Sequence, residues 1–267
     1  MKLVKPSAKI IEQQPGLEGI YKQIELAGRT CYKSEDKITD YSANKFVVRM
    51  IESNHFSMLE HGTVYLIIKW WHIFKFFKYL LNPYSKIRKF KYITTNLRVI
   101  KEHNWDNDLK YICEPTEHHE RRYTFKVITS IGVTRELNRH RVNSIAEQST
   151  RYCNYSKDKF GNEVTFCIPS WYSRAAVAII PEHYSRFINA LEFAENSYLF
   201  LIEQGLQPQH AREVLPLCTA TEAVYTAFES DWNHFFDLRY FESTGKVHPN
   251  MKELTTIMYK EYEESRS

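Results

Sequence analysis

The segment that decides the fold and the site is Thr134-Arg-Glu-Leu-Asn-Arg-His-Arg-Val-Asn-Ser-Ile-Ala-Glu-Gln-Ser-Thr-Arg-Tyr-Cys-Asn-Tyr155. Four arginines, one histidine, two glutamates and several hydroxyl side chains fall within it. So many hydrogen-bonding groups are unusual in a buried helix, because such groups remain in water unless they are paired. The composition of this segment therefore predicts a binding site.

The spacing of the basic residues points them in different directions. In a helix that continues to His140, Arg135 and Arg139 lie on one face. Glu136 and His140 lie on the neighbouring face. Arg139 and Arg141 cannot share a face, so they can bind two different anionic groups. Guanidinium groups suit phosphates because they bind two oxygens at once and stay charged. The other interpretation is a solvated charged helix, which is the usual nature of a charge run.

The composition predicts one soluble globular domain. The chain has 267 residues, of which 43% are hydrophobic and 25% charged. A net charge of +4 favours anionic ligands but is below the strongly basic balance of a dedicated nucleic-acid binder, so nucleic acid is not an expected partner. Five scattered cysteines without a Cys-x-x-Cys pair indicate neither a disulfide framework nor a zinc ribbon, and a cytoplasmic location follows as the default. No signal peptide or membrane segment is expected.

Hydrophobic periodicity and turn residues predict strands and helices in alternation. The predicted extended segments are 3–12, 63–71, 89–101 (one strand or a pair), 121–129, 164–168 and 219–228. The predicted helices are 17–31, 42–53, one that Gly132 opens and that carries Arg135 to Arg141, 181–204, one capped by Ser230 and ending at Arg239, and 251–264.

Two other clusters invite a functional interpretation. The stretch from Trp70 to Phe77 mixes aromatic rings with lysines, a combination on which single-stranded bases can stack, although core packing is the favoured interpretation. His55, Glu60 and His61 lie close together, but their spacing does not place three metal ligands on one face. No metal site is predicted.

The order of the charged residues resembles a known signature. Arg139-His140-Arg141, seven residues, then Ser149 and Arg151 resembles the signature of the flavin-dependent thymidylate synthases. The segment from His55 to His61 resembles a second motif of that family. The Ala-Arg-x-x-Leu-Pro run around Arg212 and the His-Phe-x-x-Leu-Arg ending at Arg239 resemble two more. The motifs occur in the family's order and cover most of the chain outside residues 70 to 120.

The resemblance implies a fold and an assembly. The implied fold is α/β (α+β), with a mainly antiparallel sheet flanked by helices. Residues 1–267 would form a single catalytic domain with an insertion at about 70–120. The implied assembly is a homotetramer with sites shared between subunits, which would let one short chain hold several ligands.

The implied reaction is the reductive methylation of dUMP to dTMP. FAD would be the cofactor, 5,10-methylenetetrahydrofolate the carbon donor and NADPH the reductant. Cofactor chemistry carries the difficult step in such an enzyme, while the protein orients rings and neutralises phosphates. This agrees with a sequence that is rich in arginines and has no recognisable Cys/His or Ser/His/Asp arrangement.

The resemblance also implies roles for individual residues. Arg239 is expected to be the catalytic residue that binds and ionises the uracil, because a fixed cation beside a ring favours its anionic form. Arg151 and Arg212 are expected to bind the dUMP phosphate. The residues expected to bind FAD are Ser57, Arg139, His140, Arg141, Glu147 and His234. The residues expected to bind dUMP are Glu136, Arg139, Glu147, Gln148, Ser149, Thr150, Arg151, Arg212 and Arg239.

The chain departs from the family pattern at three places. Ala146 stands where many members have Asn, Glu136 where some have Gln, and Phe228 to Ser230 where many have Asn-x-Arg. The last departure removes an arginine expected at the flavin nucleotide. Two alternatives stay open: a diverged flavin and folate enzyme that hydroxymethylates a pyrimidine nucleotide, and a non-catalytic nucleotide or single-stranded nucleic-acid binding protein.

Overall fold

Strands and helices alternate along the chain in the computed structural model, which describes residues 1–68, 73–172 and 180–266. The strands are β1 (Lys2–Val4), β2 (Ser7–Ile10), β3 (Thr63–Ile67), β4 (Lys86–Arg88), β5 (Tyr92–Asn96), β6 (Arg122–Ser130), β7 (Ser144–Glu147), β8 (Thr165–Cys167) and β9 (Ala220–Phe228). The helices are α1 (Gly16–Tyr32), α2 (Ser42–Glu52), α3 (Ile73–Leu80), α4 (Leu97–Glu102), α5 (Ile131–Leu137), α6 (Pro181–Glu203), α7 (Pro208–Ala211), α8 (Glu229–Arg239) and α9 (Pro249–Glu264).

The central sheet has the strand order β2-β6-β9-β7, and every neighbouring pair in it is antiparallel. β6 and β9 pair over their whole lengths, from Arg122 opposite Phe228 to Ser130 opposite Ala220. Their threonine, valine and aromatic residues suit a pleated surface that is largely buried. Helices α8 and α9 cover one face, and α1 covers the other. The predicted fold class, a mainly antiparallel sheet flanked by helices, is therefore confirmed.

A second antiparallel sheet, with the order β3-β5-β4, lies beside the central one. Leu66, Ile93 and Leu97 of this region share one buried cluster with Ile24 of α1 and Val47 of α2. The region therefore packs on α1 and α2 through a common core. The assignment of residues 70–120 as an insertion in a single catalytic domain stays a prediction.

The prediction for the arginine-rich helix is close at its start but wrong at its C-terminal end. Helix α5 begins at Ile131, one residue before the predicted Gly132, and Ser130 caps it, because its Oγ accepts a hydrogen bond from the Val133 amide. The helix ends at Leu137. The Arg139 amide donates to the Glu136 carbonyl, a tight bond to the third residue back that closes the last turn. Arg139, His140 and Arg141 consequently lie on a turn between α5 and β7.

Two other local predictions are also wrong. Ser230 does not cap α8; the capping position is Phe228, and the Ser230 hydroxyl donates instead to the Glu120 carboxylate. The predicted strand 89–101 is only partly extended, because α4 begins at Leu97 after Asn96, whose side chain accepts from the Val99 amide. In both cases a side chain, that of Ser230 or Asn96, forms a hydrogen bond that local sequence propensity does not predict.

The long predicted elements agree better with the structure. α1, α2, α6, α9, β6 and β9 each lie within a few residues of their predicted bounds. The predicted strand 63–71 ends at Ile67, and residues 69–72, which include the start of the aromatic stretch from Trp70, lie outside the described part of the chain. In the described residues, no helix is both long and apolar enough to cross a membrane. No three His, Cys, Asp or Glu side chains converge in the same ranges as a metal site would require.

Helix α1 buries an ion pair that stabilises the packing of α1 on α2. The Glu25 side chain is 1% exposed and accepts hydrogen bonds from Arg29 at 2.9 and 3.1 Å and from the Ser42 hydroxyl at 2.8 Å. The Arg29 guanidinium also lies 5.1 Å from the centre of the Phe46 ring of α2. A carboxylate this deeply buried depends on its cation, because desolvation penalises an unpaired charge.

We expect Arg29→Met to lower the free energy of unfolding by about 3 kcal/mol, because it leaves the Glu25 carboxylate buried without a cation. The double variant Glu25→Gln with Arg29→Met should recover part of that loss, since it removes the buried charge as well. Urea denaturation of the two variants and the wild type measures both effects. Equal stability of the wild type and Arg29→Met would contradict this assignment.

Candidate functional site

The end of α5 brings together three of the predicted site residues. The Nε of Arg239, the last residue of α8, donates to the Nε2 of His140 at 3.1 Å. One of its terminal nitrogens lies 3.9 Å from the Glu136 carboxylate. The His140 ring meets the Phe235 ring edge to face at a centroid distance of 4.9 Å. These contacts fix the Arg239 guanidinium between the end of α8 and the end of α5, where it is partly exposed.

His140 is a neutral histidine in this arrangement. Its Nε2 accepts a hydrogen bond from Arg239, so the ring proton is on Nδ1. Burial, together with the charges of Arg239 and His234, lowers the pKa of His140 to about 4. The imidazole therefore orients the Arg239 guanidinium without adding a second positive charge beside it.

Glu147, at the end of strand β7, is held by helix α5. Its two carboxylate oxygens accept hydrogen bonds from the Thr134 hydroxyl at 2.8 Å and from the Asn138 amide at 3.4 Å. Thr134 and Asn138 are one helical turn apart and thus project on the same side. Glu147 is therefore held against α5, the helix that carries the other predicted carboxylate, Glu136.

Arg151 and Arg212 lie close together although they are distant in the sequence. The Arg212 guanidinium donates to the Thr150 hydroxyl at 3.1 Å, and the Nε of Arg151 donates to the Gln209 side chain at 3.2 Å. Gln209 belongs to α7, which directly precedes Arg212. Among the described residues, the one carboxylate within ion-pair distance of either arginine is that of the exposed Glu213, 3.6 Å from Arg212. Two guanidinium groups held mainly by neutral partners form a suitable site for a phosphate.

The backbone between Glu147 and Arg151 is also fixed. The amide of Gln148 donates to the Glu222 carbonyl of β9 at 2.8 Å, and that of Ser149 donates to the Cys31 carbonyl of α1 at 2.9 Å. Gln148 is buried, whereas Ser149 and Thr150 are partly exposed. The segment therefore connects the Glu147 contacts to the two arginines without a flexible spacer.

Four predicted cofactor residues lie at the surface, apart from these contacts. Arg139 and Arg141 are exposed on the turn after α5, and within the described chain no carboxylate lies within ion-pair distance of either guanidinium. His234 is exposed on α8. Ser57 is exposed in the short 3₁₀ helix Phe56–His61, and its side chain makes no hydrogen bond to another described residue. Their roles stay predictions.

His61, from the same predicted motif as Ser57, is a core residue. It is fully buried, and its Nδ1 lies 2.9 Å from the hydroxyl of Thr226 on β9. Burial and the charge of Arg122 lower the pKa of His61 to about 3, so the ring is neutral. Its place between the 3₁₀ helix and the sheet indicates a structural role.

A cavity of about 750 Å³ lies between Ile10 to Gly16, Ile112 to Glu117 and Arg121 to Thr124. No predicted site residue lines it, so this cavity is separate from the site that contains Arg151, Arg212 and Arg239. Thr134, Asn138 and Gln209 contact predicted site residues but were not identified from the sequence. The sequence contains one signal: Thr134 and Asn138 are four residues apart and so lie on one face of a helix. That face can be assigned to Glu147 only when the position of β7 is known.

A comparison with protein families identifies the class of protein. A family model described as thymidylate synthase complementing protein matches residues 101–265 of this chain. The match covers more than half of the chain and includes the segment from Thr134 to Tyr155 as well as Arg212 and Arg239. The chain belongs to this family.

Individual relatives match over shorter ranges. Two proteins named flavin-dependent thymidylate synthase, from Geobacter sulfurreducens and Pyrococcus abyssi, are each 29% identical, over 110 and 109 residues. Each alignment spans 41% of this chain, and they span 44% and 42% of the two relatives. The chain therefore aligns with less than half the length of either relative.

Solved structures of a UMP/dUMP methylase, PolB from Streptomyces cacaoi, also resemble this chain. The form bound to 5-bromo-dUMP superimposes with a TM-score of 0.48 at 17% identity, covering 100% of this chain and 93% of PolB. The form bound to 5-bromo-UMP gives a TM-score of 0.49 at the same 17% identity, covering 99% and 92%.

The lowered pKa of His140 predicts how stability depends on pH. A histidine whose pKa falls on folding binds its proton more readily in the unfolded chain, so it reduces the free energy of unfolding as the pH falls below about 6.5. His140→Gln keeps a hydrogen-bond acceptor for Arg239 but does not titrate. Between pH 6.5 and 4.5, we expect this variant to lose about 2 kcal/mol less stability than the wild type. Urea denaturation at the two pH values measures the difference, and identical losses would show that His140 titrates normally.

Proposed function

We propose that the protein catalyses the flavin-dependent reductive methylation of dUMP to dTMP. In the overall reaction, dUMP, 5,10-methylenetetrahydrofolate, NADPH and a proton give dTMP, tetrahydrofolate and NADP⁺. The observation that carries the proposal is the convergence of Arg151 and Arg212, in a chain whose Arg239 is oriented by His140 and Glu136. Membership of the thymidylate synthase complementing protein family supports the assignment.

Arg151 and Arg212 bind the dUMP phosphate in this proposal. Neutral side-chain oxygens of Gln209 and Thr150 hold the two guanidinium groups, and the one nearby carboxylate, that of Glu213, is exposed to water, so most of the positive charge is available to a dianionic ligand. Two forked cations match the several oxygens of a phosphate. Ser149, Thr150 and the buried Gln148 complete the segment that carries the nucleotide.

Arg239 binds the uracil ring. Its Nε is occupied by His140, which leaves the terminal nitrogens to face the ring oxygens. A fixed cation beside the ring favours the ionised form of the pyrimidine and so assists bond formation at carbon 5. The neutral His140 and the Glu136 carboxylate position this cation, and Glu147 accepts hydrogen bonds from the nucleotide.

The residues present fit an FAD cofactor. Arg139 and Arg141 are exposed and lack a carboxylate partner within the described chain, which suits the negative charge of a diphosphate. Ser57, His140, His234 and Glu147 are the other proposed contacts. Ser230 does not take part, because its hydroxyl is bound to Glu120. When bound, FAD supplies the redox chemistry, with NADPH as the source of electrons.

The proposal includes assembly as a cytoplasmic homotetramer with shared sites. Large apolar side chains beside the site residues are exposed in the single chain: Val142 by 59%, Tyr152 by 56% and Leu217 by 58%. Exposed apolar groups around a binding site are typical of surfaces that a partner subunit covers. Sedimentation velocity measures the assembly directly.

The reaction itself is tested by anaerobic incubation of the purified protein with FAD, NADPH, 5,10-methylenetetrahydrofolate and dUMP. Mass analysis of the nucleotide should show the gain of a methyl group that depends on FAD. A hydroxymethyl gain would support the diverged enzyme instead. Unchanged dUMP in the presence of bound flavin would contradict the proposed substrate.

We expect Arg212→Ala to raise the Kd for dUMP by about tenfold to a hundredfold, because it removes one charge-assisted contact with the phosphate. Flavin affinity should stay unchanged. Arg186→Ala is the matched control, since Arg186 is an exposed arginine of α6 that pairs with Glu182. Calorimetric titration with dUMP and fluorescence titration with FAD measure the two affinities. Equal loss of both ligands in Arg212→Ala would refute the assignment of Arg212 to the phosphate.

A further inference from the structure

A hydrogen-bonded chain connects the core of the protein to Glu147. The Tyr225 hydroxyl donates to the Asn138 side-chain oxygen at 2.8 Å. The amide nitrogen of Asn138 donates to one Glu147 oxygen at 3.4 Å, and Thr134 donates to the other at 2.8 Å. This series of hydrogen bonds links three elements, because Tyr225 lies on β9, Asn138 directly follows α5, and Glu147 ends β7.

Tyr225 determines which way the Asn138 amide faces. Its side chain is fully buried in the cluster that includes Phe125 and Trp232, so its hydroxyl has a fixed position. Burial raises the pKa of Tyr225, as does the nearby Glu147 charge, which keeps the hydroxyl protonated as a donor. Because the Tyr225 hydroxyl is a donor, the side-chain oxygen of Asn138 must face it. The side-chain nitrogen of Asn138 then faces Glu147. The reversed amide would place its oxygen against a carboxylate.

We infer that Tyr225 is a positioning residue, which acts through Asn138 to hold the Glu147 carboxylate in the orientation that accepts hydrogen bonds from the nucleotide. The inference rests on the proposed function, because it takes dUMP as the ligand of Glu147. With one bond to each oxygen from Thr134 and Asn138, the carboxylate cannot rotate freely. Each oxygen keeps further acceptor capacity for donors of the ligand. Neither Tyr225 nor Asn138 belongs to the motifs that suggested the family.

The test compares two tyrosines whose hydroxyls donate to different asparagines, only one of which contacts Glu147. Tyr225→Phe removes one buried hydroxyl and leaves the ring in place. Tyr262→Phe is the matched control: Tyr262 is buried in the same cluster, and its hydroxyl donates to Asn233 at 2.9 Å, away from Glu147. Each variant loses one partly buried hydrogen bond, so both should lower the urea concentration at the unfolding midpoint by a similar, small amount.

Only Tyr225→Phe should weaken dUMP binding, by about five- to tenfold in Kd by calorimetry. Asn138→Ala should weaken it to a similar extent and provides the same test if Tyr225→Phe does not fold. In a Glu147→Gln background, Tyr225→Phe should have little further effect, because the two residues act in one pathway. A purely structural role for Tyr225 would produce additive losses in this cycle.

The outcomes separate this inference from the proposed function. Wild-type protein that does not bind dUMP overturns the proposed function and the inference together. Wild-type binding with unchanged affinity in Tyr225→Phe and Asn138→Ala overturns the inference alone. Equal weakening in Tyr225→Phe and Tyr262→Phe also overturns it, because loss of a core hydroxyl would then be sufficient.

Discussion

The antiparallel pairing of β7 with β9 is the constraint on which the site depends. Its register places Ser144 opposite Thr226 and Glu147 opposite Ala223, and the next amide, that of Gln148, still bonds to β9. A shift of one residue would turn each β7 side chain to the opposite face of the sheet. Glu147 would then leave Thr134 and Asn138. The short strand therefore fixes both the carboxylate and the start of the segment that carries Arg151.

The cations of the proposed site have mainly neutral partners. Arg151 is held by the neutral Gln209, and Arg239 is held by the neutral His140 and a distant carboxylate. Glu25 and Arg29, in contrast, form a close and buried ion pair outside this site. Arg151 is exposed and Arg239 is partly exposed, so both guanidinium groups can contact an anionic ligand, which is consistent with a nucleotide site.

The sequence predicted the long elements and the protein family but not the local geometry. β6, β9 and α6 have strong periodic patterns, and the convergence of Arg151 with Arg212 agrees with the shared role expected of them. β7 was not predicted, because Ser-Ile-Ala-Glu is short and gains its extended form from pairing with β9. The end of α5 at Leu137 was missed because no glycine or proline marks it. The contact between Asn138 and Tyr225 was missed for a different reason, because it depends on tertiary packing.

The most direct test of this account is the position of 5-bromo-dUMP in crystals of the protein, located by the anomalous scattering of bromine. The account predicts a bromine peak beside Arg239 and phosphate density between Arg151 and Arg212. A nucleotide bound in the cavity between Ile112 to Glu117 and the central sheet, away from these arginines, would contradict it.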